Sequence, residues 1–397
     1  MEYRFSDKLA SLKPSAIREI FKSLSDPTVI SFAAGNPAAE SFPVGELARL
    51  SADIFEKTPV TALQYSLTEG YPPLREAVAA RLREKFAIGR AGDETFIVSG
   101  GNQGIELSAK VLCNEGDAVI CEEPSFIGAL NAFRSNGART VGVPLHGDGI
   151  DPDELDAVLA REPRARMIYL IPTFQNPSGI TTSYEKRRKI YEIALRRGVM
   201  IFEDNPYGEL RFAGEDIPTF KSMDTEGIVI YCSSFSKILS AGMRVGYVTA
   251  PGPVVQKMVV AKQVEDVHTN IFFQMLCYRY MSECDLDAHI EDIRAIYRRK
   301  CGLMLGCLER ELPQSVEFTR PEGGLFVWCT LPEGCDMNAF VKKALEKKVA
   351  VVPGTAFLCD PEGSTRSFRL NYSTPSDDDI REGCARLGAA AREMGIR

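Results

Sequence analysis

The sequence predicts an α/β protein with a three-layer large domain, in which helices cover both faces of a mainly parallel sheet, and a smaller α+β domain at the carboxyl end. Two observations carry this prediction. Between residues 95 and 231, short strands that are apolar throughout alternate with helical patterns. Because such strands need cover on both faces, they belong to a mainly parallel sheet between two helical layers. After residue 289, a long helix is followed by shorter strands and a closing helix, which is α+β patterning.

The first elements in chain order are a short amphipathic helix over residues 15–24, an extended stretch over 29–32 and a turn at 35–37. Two prolines at positions 72 and 73 open a helix whose apolar residues recur at helical spacing. The strands of the large domain are expected at 95–98, 118–120, 167–171, 199–202 and 228–231, with helices at 100–112 and 128–133. A further helix begins with a capping box formed by Thr182 and Glu185 and ends at Gly198.

The second domain begins with a long helix whose apolar stripe runs from Ile290 to Leu308. Its strands are expected at 324–329, 349–352 and 367–372, before a closing helix over about 377–394. We therefore divide the chain into an N-terminal segment over 1–45 that joins the small domain, a large domain over 46–288 and a small domain over 289–397.

Composition and charge favour small-molecule chemistry. The 397 residues carry a net charge of −7, which gives no electrostatic reason to bind nucleic acid or an anionic membrane surface. Eleven cysteines at scattered spacings and three distant histidines indicate free thiols in a reducing cytosol and no zinc site. No run approaches the ~20 apolar residues needed to span a bilayer, so a cytoplasmic protein that crosses no membrane is expected.

The stretch from Ser233 to Arg244 suggests the chemistry. Lys237 follows an apolar run and stands among hydroxyls, and a partly desolvated lysine amine can form a Schiff base with an aldehyde. Pyridoxal phosphate (PLP) is such an aldehyde, and Ser234, Ser236 and Arg244 are suitable donors for its phosphate. The alternative is a strand that ends in a serine-rich surface loop, with Lys237 and Arg244 solvated.

Polar residues also follow two other predicted strands. Asp204 comes directly after strand 199–202, where a carboxylate could keep a pyridine nitrogen protonated, and Tyr207 could donate to the oxygen of the ring hydroxyl. Asn176 follows strand 167–171 and offers an amide N–H. Both strand ends also have an ordinary interpretation, since such an Asp often caps a helix and Asn-Pro often forms a turn.

Further candidates lie elsewhere in the chain. The run Gly100-Gly101-Asn102 opens a helix whose first N–H groups suit a phosphate, although its pattern is not a nucleotide-binding motif. Phe126 could lie flat on an aromatic ring or in the core. Arg369 stands on the strand face opposite its apolar neighbours, where it could fork onto a carboxylate or form a surface ion pair. Gly35 lets the backbone approach another group closely, or simply forms a turn.

Together these residues resemble the fold type I PLP-dependent aminotransferases of class I/II, with six segments in the family's order over nearly the whole chain. The resemblance implies that Lys237 carries PLP as a Schiff base and that Asp204 pairs with the pyridinium nitrogen. The other implied roles are ring-hydroxyl binding by Asn176 and Tyr207, ring stacking by Phe126, substrate-carboxylate binding by Arg369, and phosphate binding by Gly100, Gly101, Asn102, Ser234, Ser236 and Arg244.

Members of the family are homodimers in which a tyrosine of the neighbouring subunit reaches the phosphate, and Tyr65 matches that tyrosine. Residues 15–19, 31–35, 63–71 and 174–177 are most similar to the α-aminoadipate and kynurenine aminotransferase branch. There the N-terminal helix covers the substrate, Arg18 matches an arginine that can meet a distal carboxylate, and Gly35 belongs to the substrate site. Gly101 and Phe126 depart from a frequent serine and a frequent tyrosine, and each departure removes a hydroxyl donor.

The implied reaction is a transamination in amino acid metabolism and biosynthesis, in which Lys237 serves as both tether and general base. The donor would be an L-amino acid (2-aminoadipate, aromatic, or branched and aliphatic), and the acceptor a 2-oxo acid, with 2-oxoglutarate expected. One alternative is a PLP-dependent β-lyase, which uses the same cofactor chemistry to cleave a carbon bond. Another is the aminotransferase-like effector domain of transcription regulators, which requires an N-terminal DNA-binding module.

Overall fold

The computed structural model describes residues 3–10 and 26–397, so Arg18 and the predicted helix over residues 15–24 lie outside the described residues. The described helices are α1 (Asp7–Ala10), α2 (Val44–Lys57), α3 (Pro59–Leu63), α4 (Pro72–Phe86), α5 (Gly101–Leu112), α6 (Ile127–Ser135), α7 (Pro152–Arg161), α8 (Tyr184–Arg197), α9 (Phe220–Met223), α10 (Gly252–Glu265), α11 (Ile271–Glu283), α12 (Leu286–Glu311), α13 (Met337–Glu346) and α14 (Asp377–Glu393). None of them is both long and apolar enough to cross a membrane.

The described strands are β1 (Ile30–Ser31), β2 (Asp93–Val98), β3 (Ala118–Glu123), β4 (Arg139–His146), β5 (Gly149–Ile150), β6 (Ala165–Leu170), β7 (Met200–Asp204), β8 (Val229–Ser234), β9 (Gly246–Pro251), β10 (Glu317–Phe318), β11 (Phe326–Thr330), β12 (Val349–Ala350), β13 (Val352–Pro353) and β14 (Ser367–Asn371). They form three sheets of eight, four and two strands.

The eight-stranded sheet has the order β2-β9-β8-β7-β6-β3-β4-β5. Strands β8, β7, β6, β3 and β4 run parallel, whereas β9 is antiparallel to both of its neighbours and β5 is antiparallel to β4. Both faces of the sheet are buried, because Ile168 and Ile201 pack in one apolar cluster while Tyr169 and Phe202 pack in another. The predicted mainly parallel sheet between two helical layers is therefore confirmed.

The C-terminal region contains the antiparallel sheet β10-β11-β14-β13, and its two longest helices, α12 and α14, pack against each other. Strand β1 pairs in parallel with β12, which places Ile30 opposite Val349. This pairing supports the predicted junction of the N-terminal segment with the small domain. The domain limits themselves stay a prediction, and the limit after residue 288 falls just inside α12, which begins at Leu286.

Several local features differ from the sequence predictions, which also did not include strands β5 and β10 or helices α1, α2, α3, α7, α9, α10, α11 and α13. Strands β4 and β9 were not predicted, and β4 gives a weak signal because it contains Gly142 and Pro144 and is only partly buried. The capping box at Thr182 is wrong, since Ser183 is the N-cap of α8 and makes no side-chain cap, while the N–H of the buried Thr182 donates to the main-chain oxygen of Pro172 at 2.8 Å. The predicted strand over 349–352 is split into β12 and β13, which belong to different sheets.

Candidate active site

The carboxyl ends of three neighbouring strands define the candidate site. Asp204 is the last residue of β7, Ser234 is the last residue of β8, and Asn176 lies in the loop after β6. Because β6, β7 and β8 are adjacent and parallel, their carboxyl ends meet at one edge of the sheet. All three of these side chains are buried, so the rest of the protein covers this edge.

Lys237 lies just beyond β8 and directs its amine toward the N-terminal segment. Its Nζ donates a hydrogen bond of 2.7 Å to the main-chain oxygen of Gly35. The pKa of Lys237 is lowered to about 8, first by burial of the amine and then by the positive charges of Arg369 and Arg244. The amine of the half-buried Lys237 is therefore desolvated, which contradicts the alternative of a solvated surface lysine, and a fraction of it is neutral near physiological pH. Arg244 is exposed, as that alternative predicted.

This lowered pKa predicts how the labelling of Lys237 depends on pH in the cofactor-free protein. Amines react with acylating reagents in their neutral form, so labelling of Lys237 should rise as the pH passes through about 8. A lysine of ordinary pKa, about 10.4, would still be mostly charged there. Peptide mass spectrometry across this pH range measures the midpoint, and exposed Lys189 on α8 controls for the reagent. A midpoint for Lys237 at the ordinary value would contradict the desolvation of its amine.

A series of hydrogen bonds joins the strand ends of the large sheet to the C-terminal sheet. The Nδ2 of Asn176 donates to the hydroxyl of Tyr207 at 3.4 Å, and its Oδ1 accepts from Nη1 of Arg369 at 2.8 Å. Arg369 is the third residue of β14, so the series bridges the two sheets. Since Tyr207, Asn176 and Arg369 are all buried, the orientation of the amide is fixed by its two partners.

The guanidinium of Arg369 is buried between two aromatic rings. Its Cζ lies 4.2 Å from the ring centre of Phe326 and 5.0 Å from that of Phe357. Its Nη2 donates to the main-chain oxygen of Ala33 at 2.7 Å, whereas its Nε has no hydrogen-bond partner among the described residues. Burial lowers the pKa of Arg369 to about 10. The alternative of a surface ion pair is therefore wrong. Three of the five N–H groups of Arg369 have no partner among the described residues and remain for an anionic ligand.

Asp204 is a buried carboxylate that lacks a cationic partner within the described part of the chain. Its Oδ2 accepts a hydrogen bond of 2.7 Å from the hydroxyl of Tyr169, and this is the one hydrogen bond of its side chain to the described residues. Burial raises the pKa of Asp204 to about 7, and the bond from Tyr169 opposes that rise. Asp204 caps no described helix, so its second oxygen is free for a protonated ligand group.

Glycine, hydroxyl and guanidinium groups meet where β2 leads into α5. Gly100 precedes the helix with φ of 80°, and a Cβ at this position would collide with Nη2 of Arg244. The Nη1 of Arg244 lies 3.5 Å from Oγ of Ser236, whose main-chain N–H donates to Oγ of Ser234 at 3.3 Å. Together with the first N–H groups of α5, which starts at Gly101, these donors form a cradle for an anion.

Phe126 and Asn102 lie at the starts of two adjacent helices. The ring of Phe126, the N-cap residue of α6, packs so closely over Gly128 that a Cβ at Gly128 would collide with it. The same Cβ position lies 3.1 Å from Oδ1 of Asn102, in the first turn of α5. Phe126 is half-buried and packs partly on the core, so both predicted positions of its ring, on a ligand and in the core, stay open.

Tyr65 and Arg18 are the remaining predicted residues. Tyr65 is 80% exposed, and its ring meets the edge of His268 at a centroid distance of 5.9 Å. Arg18 lies outside the described residues.

Sequence reasoning missed several residues of this region. Tyr169 bonds to Asp204, Phe326 and Phe357 enclose Arg369, and Ala33 accepts from it. The sequence signal for Tyr169 was present, because a phenol stands in the otherwise apolar run over residues 167–170 and a buried hydroxyl needs a partner. The other three contacts join distant parts of the chain and leave no local signal.

The fold first defines a class of enzyme. The chain is similar to the kynurenine aminotransferase of Pyrococcus horikoshii, solved in complex with PMP, with kynurenine (KYN) as substrate, with a TM-score of 0.94 and 36% identity over 98% of this chain and 97% of that one. The chain therefore has the PLP-transferase fold type I. Residues 27–387 also match the family model described as aminotransferase class I and II, and the chain belongs to this family.

Two curated relatives match the sequence of this chain over nearly their full length. The chain is 39% identical to aromatic-amino-acid aminotransferase 1 of Thermococcus litoralis, covering 99% of this chain and 95% of the relative. It is 41% identical to 2-aminoadipate transaminase of Thermus thermophilus, covering 98% of this chain and 97% of the relative. The predicted resemblance is thus confirmed: the protein is a PLP-dependent aminotransferase that acts on amino acids and oxo acids.

Proposed function

We propose that this aminotransferase takes the amino group of an L-amino acid of the 2-aminoadipate, aromatic or branched and aliphatic kinds and transfers it to 2-oxoglutarate. The relatives named above support the first two kinds of donor. The observation that carries the proposal is that one site contains a partly neutral amine on Lys237 and a buried Arg369 whose N–H groups are not all paired. A site with a basic amine and a carboxylate-binding guanidinium suits an α-amino acid.

The side chains of the site fit PLP. The unpaired oxygen of Asp204 suits a protonated pyridine nitrogen, and Asn176 and Tyr207 can bind the ring hydroxyl. Phe126 would stack on the ring. The phosphate would be held by the anion cradle of Gly100, Gly101, Asn102, Ser234, Ser236 and Arg244. When bound, PLP supplies an aldehyde that bonds to amines and a ring that withdraws electrons from the α-carbon of the substrate.

Each residue then has a defined task. Arg369 holds the α-carboxylate of the substrate through its free N–H groups, beside Asn176 and Gly35. The amine of Lys237 removes the α-proton as general base and returns a proton as general acid, and a pKa of about 8 suits both directions. Asp204 remains an anion that keeps the ring nitrogen protonated. The burial of Arg369 and Asp204 and the partial burial of Lys237 limit the access of water and strengthen these interactions.

An exposed apolar surface supports a homodimer with the site at its interface. This surface comprises Val60, Leu63, Tyr65, Leu67, Val264 and Val267, and its members are between 46% and 86% exposed. The contact of Tyr65 with His268 joins its two parts. Contiguous exposed apolar residues of this kind mark protein interfaces. In the proposed dimer, Tyr65 donates its hydroxyl to the phosphate in the partner's site.

The role of Tyr65 predicts complementation between two defective chains. Tyr65→Ala and Lys237→Ala homodimers should each be strongly impaired. A mixed dimer contains one site with both Lys237 and the partner subunit's Tyr65 intact, so an equal mixture of the chains should regain about a quarter of wild-type activity. Activity is measured on the refolded equal mixture, and tags on the two chains verify that mixed dimers have formed. No recovery in verified mixed dimers would show that Tyr65 acts within its own chain or not at all.

Gly101 offers a test by gain of function. A Cβ at Gly101 would make ordinary contact with Sγ of Cys232 at 3.7 Å, so a side chain fits. Gly101→Ser would add a hydroxyl to the anion cradle at the first position of α5, and we expect about tenfold tighter PLP binding to the cofactor-free protein. Fluorescence titration measures the Kd. Gly101→Ala is the matched control, and equal affinities of the two variants would exclude a phosphate contact at this position.

A substrate panel tests the proposed function directly. Purified enzyme is incubated with 2-oxoglutarate and each of 2-aminoadipate, kynurenine, tyrosine, leucine and glutamine, and glutamate formation is followed. Selective loss of activity toward 2-aminoadipate in Arg18→Ala would support a distal-carboxylate role for Arg18. Ammonia and pyruvate released from cysteine conjugates without a 2-oxo acid would favour a β-lyase, and absence of glutamate with every donor would refute the proposal.

The proposal also covers the domain organisation and the cellular location of the protein. We keep the division into an N-terminal segment over 1–45, a large PLP-binding domain over 46–288 and a small domain over 289–397, with the β1–β12 pairing as support. A cytoplasmic role in amino acid biosynthesis accords with eleven cysteines that are all free thiols.

A further inference from the structure

Tyr169 lies in the large sheet beside Asp204 and forms a hydrogen bond with its carboxylate. It lies in β6 opposite Phe202 of β7, so it shares a face of the sheet with Asp204 two residues further along β7. Its ring stacks on Phe202 at 5.8 Å and meets the edge of Phe133 at 5.4 Å. Its hydroxyl donates to Oδ2 of Asp204 at 2.7 Å, and both side chains are buried. The packing of the Tyr169 ring therefore fixes the position of its hydroxyl relative to Asp204.

The surroundings of Asp204 make this donor important. Burial disfavours the anionic form of Asp204, and the described residues offer it no cation and no second hydrogen bond. Glu122 is also fully buried nearby, and its own pKa is raised, first by burial and in smaller part by the charge of Asp204. An isolated buried carboxylate takes up a proton, and a neutral Asp204 could no longer hold a proton on the ring nitrogen of a bound cofactor.

We propose that Tyr169 is a positioning residue that holds Oδ2 of Asp204, keeps this carboxylate ionised and leaves Oδ1 directed at the ring nitrogen of PLP. This inference rests on the proposed role of Asp204. Tyr169 itself is a dependable donor, because burial and the charge of Asp204 raise the pKa of its hydroxyl well above the ordinary value. The aromatic contacts hold the ring in place whether or not a cofactor is bound.

The test compares two cofactors that differ at one atom. Cofactor-free wild type and Tyr169→Phe are titrated with PLP and with an analogue in which CH replaces the ring nitrogen. Tyr169→Phe removes the hydroxyl and keeps the ring, so we expect the Kd for PLP to rise about tenfold and the Kd for the analogue to change less than about twofold. The ¹⁵N shift of labelled PLP should move toward that of the unprotonated ring in the variant.

Two control variants separate positioning from general stability. Tyr372 is also a fully buried tyrosine, and its hydroxyl donates to the main-chain oxygen of Gly323 at 2.9 Å, so Tyr372→Phe should bind both cofactors as wild type does. In an Asp204→Asn background, adding Tyr169→Phe should change neither Kd by more than about twofold. The Kd for the analogue, which does not depend on the ring nitrogen, shows whether the site of Tyr169→Phe is still folded. Equal weakening of both cofactors in Tyr169→Phe would overturn the inference.

Failure of the inference differs from failure of the proposed function. If Asp204→Asn weakens PLP but not the analogue, while Tyr169→Phe changes neither, Asp204 keeps its role and Tyr169 loses its own. If Asp204→Asn leaves both affinities unchanged, the proposed role of Asp204 fails and the role of Tyr169 fails with it.

Discussion

Replacing Lys237 with alanine is expected to lower kcat/KM by at least about 10⁴-fold, because the same amine is proposed to bind the cofactor covalently and to move the α-proton of the substrate. The visible absorption band of covalently bound PLP should disappear as well. In the wild-type enzyme, borohydride reduction should fix the cofactor on the peptide that contains Lys237. Steady-state kinetics, absorption spectra and peptide mass spectrometry measure these three effects.

The control for Lys237→Ala is Lys189→Ala, which removes an exposed lysine on α8 and should leave kinetics and spectrum unchanged. Thermal unfolding of both variants shows whether the fold is retained. The hydrogen bond to the main-chain oxygen of Gly35 is lost in Lys237→Ala, so a small loss of stability is expected. A folded Lys237→Ala enzyme that turned over at a wild-type rate would remove Lys237 from the mechanism.

Replacing Arg369 with lysine is expected to have the second largest effect on kcat/KM. Arg369→Lys keeps the positive charge but loses the planar fork, and one ammonium cannot serve the substrate carboxylate together with Asn176 and Ala33. We expect kcat/KM for the amino acid to fall about 100-fold, equivalent to ~3 kcal/mol, mainly through a higher KM. The absorption spectrum of bound PLP should stay close to that of the wild type.

Arg366→Lys is the matched control for Arg369→Lys. Arg366 stands next to β14, is exposed, and donates to the main-chain oxygen of Leu331 at 2.7 Å, so its replacement should change kcat/KM less than about twofold. Both variants are assayed over a range of amino acid and 2-oxoglutarate concentrations. An unchanged KM in Arg369→Lys would mean that the α-carboxylate is bound elsewhere.

The positions that the sequence predicted best are those fixed by local structure. Asp204, Asn176 and Ser234 end apolar strands or follow them, and adjacent parallel strands bring such residues to one edge. The serine hydroxyls around Lys237 predicted that it lies in a phosphate-binding site. The sequence could not predict which polar groups would become partners, since the bond from Arg369 to Asn176 spans 193 positions and depends on how two sheets pack.

Alternatives that remained open in the sequence were resolved by burial. A lysine or an arginine in a polar stretch is usually solvated, and its residue type alone carries no information on exposure. The structure buries Arg369 between two rings and desolvates the amine of Lys237, which excludes a surface role for either. Strand β4 was missed for the opposite reason, because partial exposure weakens the apolar pattern by which strands are recognised.

The main-chain oxygens of Ala33 and Gly35 each accept a hydrogen bond from a functional cation, Arg369 and Lys237 respectively. A carbonyl is present whatever the side chain, so alanine scanning across this segment cannot delete either acceptor. Only chemical replacement of an amide by an ester, which weakens its carbonyl as an acceptor, would reveal how much these two oxygens contribute. Side chains matter here only through the path of the backbone: Ala33 is buried, and a Cβ at Gly35 would lie 3.1 Å from the ring of Phe326, so larger residues would shift the acceptors rather than delete them.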